Sequence, residues 1–219
     1  LFSTGLSPQV VTESLYYHTQ IKKRKIDSIY IISDARGKQL VLEKLLDKKT
    51  GWFYRFLEEY NLKNQINFSK KNVYGLKKID GELIVDLKTV DENNAAVNQI
   101  FSVIEHSTDD DNRLIVCVAG GRKSMSVIVG QALQFYGREQ DILTHIIVED
   151  EVVGCPDFYY PTKNSNKIEF KGKKIDTKTV KLFLDEIPFI RLRPILGTFI
   201  NKNNSSLSSF VQSAQSEIE

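Results

Sequence analysis

Two short stretches of the sequence collect the residue types that hold an anion. The first is Ser3-Thr4-Gly5-Leu6-Ser7-Pro8-Gln9 and the second is Ala119-Gly120-Gly121-Arg122-Lys123-Ser124-Met125. Glycine lets a backbone approach a ligand closely, and free amides at a helix N-terminus attract negative charge. Arg122 adds a planar fork of donors and Lys123 a point charge, while Ser3, Thr4, Ser7 and Ser124 add hydroxyls. Together these groups suit phosphate. Each loop taken singly also reads as an ordinary turn leading into a helix. Two familiar nucleotide motifs do not fit. The Walker A loop places glycine, four residues and then Gly-Lys-Ser/Thr, whereas Arg122 separates Gly121 from Lys123 and no upstream glycine stands at the required position. The first loop lacks the Gly-x-Gly-x-x-Gly fingerprint of dinucleotide binding.

Each loop follows an apolar run and precedes a helical pattern, so each needs a strand-loop-helix unit to position it. Residues 28–33, 114–119 and 142–148 are continuous apolar runs, as expected of parallel strands covered on both faces. Residues 66–69, with Val73-Tyr74, predict another strand. Ser7-Pro8, as N-cap and first-turn residue, opens a helix to about Lys22 with Val11, Leu15 and His18 on one side. Further helices are expected over 37–48, 52–60, 91–106 and 124–136. This alternation predicts an α/β fold: a Rossmann-like, doubly wound, mainly parallel sheet with helices on both faces. In such sheets ligands bind beyond the carboxyl ends of the strands, where the strand order reverses, and the first and fourth strands commonly flank that point. If 114–119 is the fourth strand, the two loops share one crevice.

The expected core covers residues 1–150, and 151–197 read as a small β extension. Residues 198–219 read as a linker and a C-terminal helix with Leu207, Phe210, Val211, Ala214 and Ile218 in one apolar stripe that needs a partner surface. That helix is placed to lead into an effector domain beyond residue 219. Leu1-Phe2 read as the end of a strand whose beginning is missing.

Composition narrows the function classes. Hydrophobic content of 41% and charged content of 26% are ordinary globular usage, and a net charge of +2 lacks the basic excess of a general DNA binder. No direct DNA binding is expected of this segment. No run approaches the ~20 apolar residues of a membrane helix, and no secretory pattern opens the chain. Cys117 and Cys155 are too few and too far apart for zinc; Cys117 reads as a buried, inert thiol, which fits a reducing cytoplasm. His18 and His106 lack metal-ligand partners at useful spacing, so neither metal nor cofactor is expected. Asp109-Asp110-Asp111 read as a solvated loop. Arg138 and His145 formally match a ribonuclease spacing found on helices, but Gly137 ends a helix and Ile142 begins a strand. Arg138, Asp141 and His145 are instead expected to tie that turn to neighbouring backbone.

Four stretches carry a family resemblance: Gly5-Leu6-Ser7-Pro8-Gln9-Val10-Val11-Thr12-Glu13, Ala119-Gly120-Gly121-Arg122-Lys123-Ser124-Met125-Ser126, Gly137-Arg138-Glu139-Gln140-Asp141-Ile142-Leu143-Thr144-His145, and Ile187-Pro188-Phe189-Ile190-Arg191-Leu192-Arg193. Over about residues 3 to 193 the chain resembles the CRISPR-associated Rossmann fold (CARF) family. That resemblance implies a homodimer that senses cyclic oligoadenylate, a cyclic RNA messenger made by type III CRISPR complexes; some members also cut the ring slowly without metal. Candidate ligand contacts are then Ser3, Thr4, Gly5, Leu6, Ser7, Gln9, Ser33, Asp34, Gly120, Gly121, Arg122, Lys123, Ser124 and Met125. The Ser33 to Arg36 segment can contact adenine or ribose, or simply cap the next helix.

Three functions compete. As a sensor, a twofold dimer presents Arg122 and Lys123 from each side to a ring such as cyclic tetraadenylate, the ring size being an analogy. As a metal-independent ring nuclease, the same loops align a ribose 2′-hydroxyl for attack on the adjacent phosphate, leaving a 2′,3′-cyclic phosphate. Catalytic roles then fall to Lys123, steadying the phosphorane, and to Ser7 or Thr4, aligning the ribose. As the regulatory domain of a DNA-binding protein, the chain would hand DNA contact to a further domain.

Overall fold

A computed structural model describes residues 1–108 and 111–194. The polar linker, the expected C-terminal helix, Asp109 and Asp110 lie outside the described residues. Strand β1 (Phe2–Thr4) leads into helix α1 (Gln9–Tyr16), which continues through a π-helical turn at Tyr17–Ile21. There follow β2 (Ile31–Ser33), α2 (Ala35–Lys44), α3 (Trp52–Glu59), β3 (Val73–Gly75), α4 (Val90–Ser107), β4 (Ile115–Cys117), α5 (Lys123–Tyr136) and β5 (Ile142–Val148). A ribbon of β6 (Lys167–Phe170) and β7 (Lys173–Asp176) precedes β8 (Leu182–Ile187).

The main sheet runs β3-β2-β1-β4-β5-β8, parallel throughout except for β8, which pairs antiparallel to β5. The Rossmann-like, doubly wound arrangement follows from side-chain alternation along the strands. Phe2, Ile31, Val73, Cys117 and Ile146 point to one face, into a core with α1, α2 and α3. Leu1, Ile32, Val116 and Leu143 point to the other, into a core with α4 and α5. Short strands buried on both sides cannot show a polar-apolar alternation, which is why they read as continuous apolar runs.

Several boundaries differ from the sequence expectation. Residues 66–69 form no strand but a single bridge, Asn67 to Ser28. A capping box between Ser69 and Asn72 then turns the chain into a 3₁₀ turn before β3. Helix α2 begins two residues before Gly37, because Asp34 accepts the Gly37 amide at 2.7 Å. Helix α4 starts at Val90 under a capping box of Thr89 and Glu92. The stretch after residue 150 divides: β6 and β7 form a separate ribbon, whereas β8 adds a sixth strand to the main sheet. Phe158, Tyr159 and Tyr160 anchor this part to α3, with Trp52 stacked on Tyr159 at 4.5 Å between centroids.

Candidate functional site

Because β1 and β4 are direct neighbours, with Phe2 opposite Cys117, the loops leaving their carboxyl ends run side by side. Their backbones touch. A Cβ on Gly5 would lie 3.0 Å from Gly121 Cα, and one on Gly120 would lie 3.2 Å from the Ser3 carbonyl oxygen. Gly121 also takes a φ of +87°, a left-handed conformation that side chains disfavour. The Ser3 hydroxyl donates across the gap to the Gly120 carbonyl at 3.4 Å. The glycines therefore serve close approach of two loops as well as access for a ligand.

Two helix N-termini meet at this junction, and no side chain caps either of them. Ser7, Lys123 and Ser124 are exposed, and none has a partner among the described residues. The Thr4 hydroxyl and the Gln9 Oε1 are buried without a hydrogen-bond partner. Uncapped amides, a free ammonium and the unpaired Thr4 hydroxyl are donors that an oxyanion ligand uses, whereas Gln9 Oε1 is an acceptor and would meet a ligand's N–H or O–H. Leu6, 68% exposed, supplies apolar surface beside them.

Other candidates have structural work. Ser7 does not act as the expected N-cap: Pro8, already at helical φ and ψ, occupies that position, and no side chain makes a capping hydrogen bond there. The Ser33 hydroxyl donates to the Thr4 carbonyl at 2.7 Å and is fully buried. Asp34 caps α2, so of the two readings of this segment the hydrogen bonds favour the cap. Met125 packs fully buried in the α4–α5 core, which leaves only its backbone amide for a ligand.

Two contributors were not legible as site residues. Segment 76–87 folds over the end of β2, with Leu76 N–H donating to Ser33 O and Ala35 N–H to Ile84 O, both at 2.8 Å. It brings Asp86 to Arg122, whose Nε donates to Asp86 Oδ1 at 2.7 Å and whose Nη2 donates to Oδ2. Arg122 holds Asp86 below the usual carboxylate range, first through the hydrogen bond and then through its charge. Gly37 is the second: α2 packs so close to the first loop that any side chain there would strike Ser33 and Gly5. Glu13 is a buried residue of α1, and burial alone pushes its carboxyl up from 4.5 to about 8.

Glu13 makes stability depend on pH. Its folded pKa lies above the unfolded one, so its favourable contribution is complete below about 4.5 and is lost as pH rises through about 8. Melting temperatures of the wild type should therefore fall between pH 5 and pH 8.5, and Glu13→Gln should flatten that fall and be the more stable protein at pH 8.5. Parallel curves for the two proteins would remove Glu13 from this role.

The turn before β5 ties the amino end of β4 to the C-terminal ends of α4 and α5. Asp141, fully buried, accepts the Leu114 amide at 2.8 Å and the Arg138 amide at 2.8 Å, and pairs with the Arg138 guanidinium at 3.0 Å. Arg191 donates to the Arg138 and Asp141 carbonyls, and Arg193 to those of Thr108 and Tyr136, where α4 and α5 end. The expected tie between this turn and backbone thus holds for Arg138 and Asp141, while His145 makes no such bond among the described residues.

A cavity of about 770 Å³ opens at the opposite, amino end of the sheet. Its walls combine the segments 27–30 and 112–115 with Leu15 and His18 from α1 and its π-helical turn and Val103 and His106 from α4. Among the described residues no His, Cys, Asp and Glu cluster could hold a metal, and no helix is long and apolar enough to cross a membrane. Cys117 is buried, and desolvation raises its thiol, which suits the inert role expected of it.

No curated protein matches the chain. The sequence model of a family described as CRISPR-associated protein NE0113 matches residues 7–218, nearly the whole length and including both helices that open at the crevice. The chain belongs to that CRISPR-associated family.

Proposed function

We propose that the crevice between the β1 and β4 loops binds cyclic oligoadenylate, and that a second copy of the chain completes the ring site. The observation that carries this reading is the meeting of two uncapped helix N-termini with the unpartnered Lys123 at the sheet's switch point. Phosphodiesters match this donor set, and membership of a CRISPR-associated family makes a CRISPR messenger the fitting phosphodiester. One crevice faces only part of a ring, whereas a twofold axis through the paired loops presents the donor set twice.

Calorimetry with cyclic tri-, tetra- and hexaadenylate in excess chelator tests the reading. Saturable binding of one ring per two chains is expected, and Lys123→Ala should weaken it about ten- to hundredfold, as loss of a charge-assisted phosphate contact does. Absence of heat with all three rings would overturn it. Chromatography of the same mixtures shows whether the bound ring is also opened.

A further inference from the structure

We infer that Asp86 is a positioning residue that aims the Arg122 guanidinium at the ligand; this rests on the phosphodiester reading of the crevice. The pair is side-on: Asp86 takes Nε and Nη2 of Arg122, which leaves Nη1 and the second Nη2 hydrogen for another acceptor. The Asp86 side chain is 13% exposed and the Arg122 side chain 54%, so the carboxylate lies on the inner side and the open edge of the guanidinium faces solvent.

The carboxylate is itself held in place. Ile84 and Leu87 on either side of it are buried, and segment 76–87 is tied to Ser33 and Ala35 at the end of β2. An exposed arginine otherwise samples many rotamers that binding must remove. A packed partner removes them in advance, which is how preorganisation raises affinity. Nor does Asp86 cancel the charge of the site. Lys88 lies 3.7 Å from the same carboxylate and Lys123 is free, so three cations, Lys88, Arg122 and Lys123, stand against Asp86 and Asp34, whose charge also acts on Arg122.

The opposite role, an internal anion that competes with the ligand for Arg122, predicts the opposite sign, and one set of variants separates the two. Binding of cyclic tetraadenylate, or of whichever of the three rings the wild type prefers, is measured by calorimetry for Asp86→Asn, Arg122→Ala and the double variant. Asp86→Asn should weaken binding about tenfold, and the double variant should bind no more weakly than Arg122→Ala, because Asp86 acts only through Arg122. Should Asp86→Asn melt early, Arg122→Lys reads the same pair with Asp86 intact: an ammonium cannot be held side-on, and a loss of about tenfold is again expected. Unchanged or tighter binding by Asp86→Asn, or losses that add in the double variant, would overturn the positioning role while leaving the crevice as the ligand site. A wild type that binds none of the rings would overturn the reading of the crevice, and this inference with it.

Discussion

Asp141→Ala is expected to lower the melting temperature by roughly 6–20 °C, which corresponds to a loss of about 3–5 kcal/mol in a chain of this size. Against a total stability of ~5–15 kcal/mol this is a large share. One carboxylate, with no exposed surface, satisfies the Leu114 amide just before β4, the amide of Arg138 and the Arg138 guanidinium. Removing it takes the carboxylate from a guanidinium that is only 14% exposed, which keeps its bond to the Asn112 carbonyl, and leaves the buried Leu114 amide without an acceptor. The mechanism has its own control. Arg138→Met removes the charge that has lost its carboxylate, so the double variant Arg138→Met/Asp141→Ala should melt above Asp141→Ala alone. Thermal denaturation of the three proteins decides it; a drop of less than about 2 °C for Asp141→Ala would show that solvent replaces these bonds at little cost.

Gly37→Ala should also destabilise, although helix propensity argues the other way by about 1 kcal/mol. Its Cβ would lie 2.1 Å from Ser33 Oγ, 2.7 Å from the Gly5 carbonyl oxygen and 2.9 Å from Gly5 Cα. Overpacking of this kind costs about 1–3 kcal/mol, or roughly 2–12 °C of melting temperature. The Ser33 hydroxyl is a side chain and can be deleted, but the Gly5 backbone can only move. Ser33→Ala in the same chain should thus recover little. Because Gly5 in turn lies against Gly121, displacement of the first loop reaches the second, and affinity for the ring should fall together with stability. A Gly37→Ala protein as stable as the wild type would show that the first loop yields freely.

The features of the molecule that the chain encodes locally were readable without a structure. Residues 142–148 coincide with β5, and the run 28–33 announces a doubly covered strand by the absence of alternation, although only Ile31 to Ser33 of it form β2. The edge strand β8 was harder to read, because it is half exposed and carries Asp185 and Glu186. Its place in the main sheet depends on pairing with β5, from Leu143 with Ile187 to Val148 with Leu182. The expected strand at 66–69 failed for a complementary reason: its apolar residues pack without a ladder, and the Ser69–Asn72 capping box redirects the backbone.

The site divides along the same line. Sequence by itself determined that two glycine-containing loops with hydroxyls, an arginine and a lysine follow strands and open helices, because residue type and apolar period are local properties. Tertiary structure decided how those loops are used. The strand order makes them neighbours, Gly37 of another helix sets the height of the first, and Asp86, 36 residues before Arg122, takes one edge of the guanidinium. It also assigned Ser33, Asp34 and Met125 to hydrogen bonds and packing that any of them could equally have left for a ligand. Contacts between segments far apart in the chain leave no periodic trace in either segment, since their energy depends on which elements the fold brings together.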